Sequence, residues 1–262
     1  MRKALTLTAL AVAAVAIVGT ALANHSWGSY HWTRTSSEVT LAVGDNVSSS
    51  WDSYLNGAIA DWNPSTVVEL SKVSGGTSPS SCQPTAGRIE ACNAAYGNTG
   101  WLGIAQIWVS GGHITQATTK VNDTYFATAT YNTPAWRALV MCQELAHDFG
   151  LDHQDENFSN ANLGSCMDYT NDPDGGAGGA SSSDPSNEHP NAHDFEQLLA
   201  IYSHTDGSGG GGKPCRGKKC PNAHENAPPL AQASRANGSV YVDDLPNGGR
   251  RVTHVFWTPF GE

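Results

Sequence analysis

Gln143-Glu144-Leu145-Ala146-His147-Asp148-Phe149-Gly150-Leu151-Asp152-His153 is the stretch around which the rest of this chain is organised. Just before it, Thr133 is an N-cap, Pro134 takes the first helical position, and Trp136, Leu139 and Val140 share one face, so a helix is expected from Pro134 onward. Gly150 ends it, because glycine adopts the left-handed conformation that reverses the chain at little cost. On such a helix Gln143 and His147 are separated by about 40° around the axis and about 6 Å along it, so both side chains enter one cavity. Glu144 stands beside them, a carboxylate placed to take a proton from a water on a metal ion and pass it to a leaving group. His147, Gly150 and His153 have H-x-x-G-x-x-H spacing, which folds His153 back towards the same ion and leaves a position for water.

Working outward, residues 39–43 read as a strand and 51–62 as a helix, with apolar positions Trp51, Tyr54, Leu55, Ile59 and Trp62, stopped by Asn63-Pro64. Residues 67–70 resume as a strand, 75–92 are turn-rich and read as loop, and 100–109 form a further strand. Gly111-Gly112 turns the chain into a polar, alternating segment, 113–122, expected as an exposed strand, and 124–130 offers another short one. Residues 159–191 are loop by composition, and 194–202 suit a closing helix. After the glycine run 207–212, residues 239–242 and 251–257 flank Asn247-Gly248 as a hairpin.

The 143–153 stretch resembles the metzincin signature H-E-x-x-H-x-x-G-x-x-H with its first histidine replaced by Gln143. Ser165-Cys166-Met167-Asp168-Tyr169 is similar to the S-x-M-x-Y Met-turn of astacin-like and serralysin-like metzincins, and Leu102-Gly103-Ile104-Ala105 to the strand that holds a substrate backbone in that clan. The resemblance covers residues 100–170. It implies an α+β, metzincin-like zincin domain with a mixed twisted sheet, a zinc ion held by His147, His153 and Gln143, Met167 as a floor beneath the metal, Glu144 as general base and acid, and Tyr169 countering oxyanion charge. The implied activity is hydrolysis of internal peptide bonds of a protein or peptide substrate, paired in extended form along residues 102–109. An amide oxygen is a weaker zinc ligand than imidazole nitrogen, so three readings stay open: Gln143 coordinates, another residue such as His113 substitutes, or the domain is a non-catalytic secreted binding module.

Arg2 and Lys3, the apolar and small residues that follow, and Ala21-Leu22-Ala23 read as an export signal over 1–23, bacterial in style. A catalytic domain is expected over 24–204, a Gly/Pro-rich linker with a small cysteine loop over 205–238, and an appended hairpin over 239–262. The formal net charge of −10 argues against nucleic acid and anionic membrane as partners; oligomeric state is not legible. Six cysteines in an exported chain favour disulfides, by proximity Cys82–Cys92 and Cys215–Cys220, leaving Cys142 for Cys166. Asp152, Asp155 and Glu156 read as a solvated acidic run, with a calcium site including Asp168, Asn171 or Asp172 as the sharper alternative. His189 and His193 read as loop residues, and Trp101, Trp108 and Trp136 as core aromatics.

Overall fold

The computed structural model describes residues 25–26, 30–177, 182–207 and 227–260. The expected export signal and the Cys215–Cys220 loop lie outside the described residues. No helix among the described residues is long and apolar enough to cross a membrane.

The fold is α+β, built on one eight-stranded mixed sheet. The strands are β1 (His31–Trp32), β2 (Val39–Asn46), β3 (Val68–Ser74), β4 (Ile89–Ala94), β5 (Trp101–Ser110), β6 (His113–Asn122), β7 (Val240–Asp244) and β8 (Arg250–Trp257). Their order is β3-β2-β4-β6-β5-β8-β7, and β1 also pairs with β6. From β3 to β6 neighbouring strands run parallel; from β6 to β7 they run antiparallel. Helix α1 (Asp52–Trp62) connects β2 to β3, the crossover that a parallel pair requires. It buries Leu55, Ala58, Ile59 and Trp62 and packs on helix α3 (Pro134–His147), where the Trp62 indole donates to Cys142 O at 3.1 Å.

Helix α3 begins as its sequence dictates: Thr133 Oγ1 accepts from Trp136 N at 3.2 Å, and Pro134 follows. Gly150 has φ 107°, and a Cβ there would lie 2.6 Å from Tyr30 O, so glycine is required both by its conformation and by the close passage of the chain. Helix α4 (Ala192–Ile201) starts two residues before the expected Asp194, because Asn191 and Asp194 form a reciprocal capping box.

Four expectations are corrected. Residues 89–94 are not loop but strand β4, whose Glu90 is buried between β2 and β6 and satisfied by Arg88 Nε and Asn46 Nδ2, both at 2.7 Å. The stretch 113–122 is not an exposed strand: β6 lies between β4 and β5, and its polar residues Thr118, Thr119 and Asn122 are buried. Residues 124–130 contain helix α2 (Asp123–Phe126) rather than a strand, since the Asn122 side chain caps it by accepting from Thr124 N. Finally, the last two strands are no appendage. β8 pairs with β5 from Trp101↔Trp257 to Val109↔Arg250, so the segment completes the sheet. Of the three expected core tryptophans only Trp136 is buried; Trp101 and Trp108 are half-buried.

Candidate metal centre

Three imidazoles meet beneath the sheet. His147 comes from the last turn of α3, His153 from the turn after Gly150, and His254 from the middle of β8; a ligand nitrogen from each lies within 4.8 Å of the other two. The rings of His147 and His254 stack at 3.6 Å with 9° between their planes, and His153 stands edge-on to His147. All three are buried.

The hydrogen bonds fix which nitrogens face inward. His147 Nδ1 lies 2.8 Å from Leu151 O, and a carbonyl only accepts, so Nδ1 carries the proton and Nε2 is bare. His153 Nδ1 likewise faces Glu156 Oε1 at 2.9 Å, which leaves its Nε2 bare as well. The two Nε2 atoms are 3.0 Å apart. Two lone pairs at that distance repel unless a proton or a cation lies between them. Neighbouring ligand atoms on a tetrahedral zinc with bonds of about 2.0–2.1 Å are separated by roughly 3.3 Å, so the donor set fits this ion. Burial, then the neighbouring His153, holds His147 well below the usual histidine range, the protonation state a ligand needs.

Glu144 is fully buried on the same helix as His147, and neither oxygen completes a hydrogen bond of ordinary geometry. Burial, then the charge of Asp148, pushes its carboxyl well above the ordinary range, partly offset by the Ala105 backbone N–H. Gly103 of β5 makes room for it: a Cβ at that position would lie 2.6 Å from Glu144 Cγ and 2.7 Å from Val140 Cγ1. Asp148, one turn later, accepts from Thr119 Oγ1 at 2.6 Å, which fastens the end of α3 to β6.

Gln143 is buried, but its Nε2 donates to Cys166 O at 2.7 Å while Oε1 has no hydrogen-bond partner. Cys142 forms a disulfide with Cys166, and Cys82 pairs with Cys92. Helix and turn are therefore joined twice at adjacent residues. In the turn, Met167 N donates to Ser165 Oγ, and Ser165 Oγ donates to Asp194 Oδ2 at 2.7 Å; Met167 is completely buried. Tyr169 packs its ring 4.5 Å from that of His153, yet its hydroxyl donates to Val255 O of β8 at 3.0 Å.

Several sequence expectations change here. His113, offered as a substitute ligand, lies in a separate group with His31 and Asp206. The acidic run is not merely solvated, since Glu156 orients His153 and also accepts from Ser239 Oγ at the start of the last hairpin. Asp168, named for a calcium site, accepts from Leu163 N and Asn187 Nδ2 through Oδ2. Strand β5, expected to pair with an extended substrate, has β6 on one side and β8 on the other, so both edges are taken. His254 escaped the sequence reading altogether. Its only signal is a histidine between inward-facing Val252 and Phe256 on an alternating strand.

No protein-family model matches the chain, and no curated protein matches it. Among solved structures it is similar to high choriolytic enzyme 1, a hatching enzyme zinc-protease from Oryzias latipes (medaka fish). That match has a TM-score of 0.36 and 14% identity and covers 66% of this chain and 94% of that chain. What the centre can do follows from its own residues.

Proposed function

We propose that this chain is a secreted zinc-dependent endopeptidase whose zinc is held by His147, His153 and His254, with Glu144 as general base and acid. The observation that carries this is the pair of bare Nε2 atoms facing each other at 3.0 Å, with a third imidazole stacked on one of them and an unpaired carboxylate on the same helix. His254 takes the place of a histidine at position 143, and Gln143 serves to tie the helix to the Met-turn. Zinc bound there would supply Lewis-acid polarisation of the scissile carbonyl and lower the pKa of water. Glu144, its carboxyl raised above the ordinary carboxylate range by burial, takes the proton of the attacking water and delivers it to the departing amine. Glu156 holds His153 in the tautomer that presents Nε2, and Leu151 O does the same for His147. The two disulfides suit an oxidising compartment, in accord with secretion.

A second reading is a sealed metal centre without turnover. It is favoured by the seating of β8 along β5 and by the bond from the Tyr169 hydroxyl to Val255 O, which occupies the group expected to counter oxyanion charge. Zinc analysis of the purified full chain beside a peptide-library cleavage assay separates the two. The endopeptidase reading expects cleavage that disappears in Glu144→Gln while zinc is kept, zinc loss in His254→Ala, and zinc retention in Gln143→Met. Zinc that His254→Ala removes, with no cleavage above that of Glu144→Gln, establishes the sealed centre; zinc content unaffected by His254→Ala sinks both.

A further inference from the structure

A second group of metal-binding side chains is assembled by parts of the chain that the first centre does not use. His31 of β1 stands directly opposite His113 of β6 in the parallel register, with ring centroids 4.8 Å apart. Asp206, in the segment that follows α4, is brought to them by mutual backbone pairing with Arg34: its N–H donates to Arg34 O, and its Oδ2 accepts from Arg34 N at 2.7 Å. The carboxylate is then faced by three imidazole nitrogens. His31 Nε2 is 3.4 Å from Oδ2, His113 Nε2 is 3.2 Å from Oδ1, and His204 Nε2 is 3.5 Å from Oδ1. The side chains of His31, His113 and Asp206 are almost wholly enclosed, while His204 is half exposed at the mouth.

The simplest alternative is an ion pair: one protonated imidazole hydrogen-bonded to Asp206, with the other rings as bystanders. The distances argue against it. A charge-assisted N–H···O bond is about 2.7–2.9 Å long, and each of the three contacts exceeds that. They bracket instead the roughly 3.3 Å that separates nitrogen and oxygen ligands sharing one tetrahedral zinc, given bonds of about 2.0–2.2 Å. Convergence of Nε2 from three rings on one carboxylate is also more than a single ion pair needs.

We infer that His31, His113 and Asp206 form a second metal site for a borderline divalent cation of the zinc type. Imidazole nitrogen with one carboxylate is the donor set for such an ion, and His204, half exposed beside Asp206, stands at its mouth. Its effect is a cross-link. The ion ties the first strand and the segment after the last helix to β6, joining three stretches far apart in sequence.

The test uses the full chain, stripped with chelator and titrated with zinc, with content measured after gel filtration. Wild type is expected to hold two zinc ions per chain, His153→Ala one, and His153→Ala with His113→Gln none. The unfolding midpoint of His153→Ala should rise on adding zinc, and this rise should vanish when His113→Gln is added. If the double variant fails to fold, His153→Ala alone still decides. Absence of zinc and of a zinc-dependent shift in midpoint overturns the second site, as does a double variant that folds and retains the ion. Failure of the first centre alone would show as one ion in wild type that survives His153→Ala and is lost in His113→Gln.

Discussion

The two histidine clusters differ in where their chemistry is kept. The first draws His147 and His153 from a single helix and its following turn, and the same helix carries Glu144, a buried carboxylate outside the cluster. The second draws each member from a different part of the chain and spends its one carboxylate, Asp206, in the cluster itself. A histidine cluster with an uncommitted carboxylate on the same helix is suited to moving protons; one that takes its carboxylate into the cluster is suited to holding chain segments together.

The sharpest way to break this contrast is to remove the spare base. Glu144→Gln should lower peptide cleavage by about 10²–10⁴-fold, the range of a general base, with the zinc content of both clusters unchanged. An equal loss of zinc and turnover would show that the carboxylate is a ligand after all. Next in size, Glu156→Ala should weaken zinc at the first cluster by about 10–100-fold, as loss of an orienting partner does, and leave the second untouched. Competition against a chromogenic chelator measures it, and an unaltered affinity would mean that His153 keeps its orientation without Glu156. Gly103→Ala should cost about 1–3 kcal/mol in chemical denaturation by driving a methyl group into Glu144 and Val140. It should disturb cleavage more than metal content, because Glu144 moves while the imidazoles do not.

The smallest effect concerns pH. His25 Nδ1 donates to Asp152 O at 3.0 Å, and burial lowers its pKa to about 4, against the opposing pull of that carbonyl. A histidine whose folded pKa lies below its unfolded value near 6.5 favours the folded state in its neutral form. Its contribution is therefore complete above about pH 6.5 and declines as pH falls towards 4. His25→Asn should flatten stability across that window, and urea midpoints at pH 7, 5.5 and 4.5 check it. A slope identical to wild type would assign the acid sensitivity elsewhere.

The sequence exposed those parts of the site that are local. Thr133, Pro134, Gly150 and the spacing from Gln143 to His153 are readable because helix geometry converts spacing into direction. The same holds for the Cys142–Cys166 bond, which proximity and elimination suggested, while the mixed sheet came only from the resemblance. What escaped was tertiary. Nothing near His254 announces that β8 will pair with β5, and position 113 looked like a solvent-facing strand because polar alternation does not distinguish water from buried partners. Thr119, which bonds Asp148, is such a partner. Glu90 misled in the same way, since a charged residue satisfied by Arg88 and Asn46 sits inside a strand that composition assigned to loop. Gln143 was weighed as a ligand because the motif alone offered no third histidine in reach.

The position of β8 also bears on how the molecule is made. As the chain leaves the ribosome, β5 and β6 emerge well before β8, and the strand destined for the open side of β5 is the last of the described strands to appear. Until then β5 presents an unpaired row of backbone groups rich in Leu102, Ile104, Ile107 and Val109, a template on which another chain can add. Long-range pairing of this kind is slow to form. Nascent or truncated chains lacking residues 250–257 are thus the species most prone to associate, and the strand that brings His254 to the metal centre is also the one that closes this hazard.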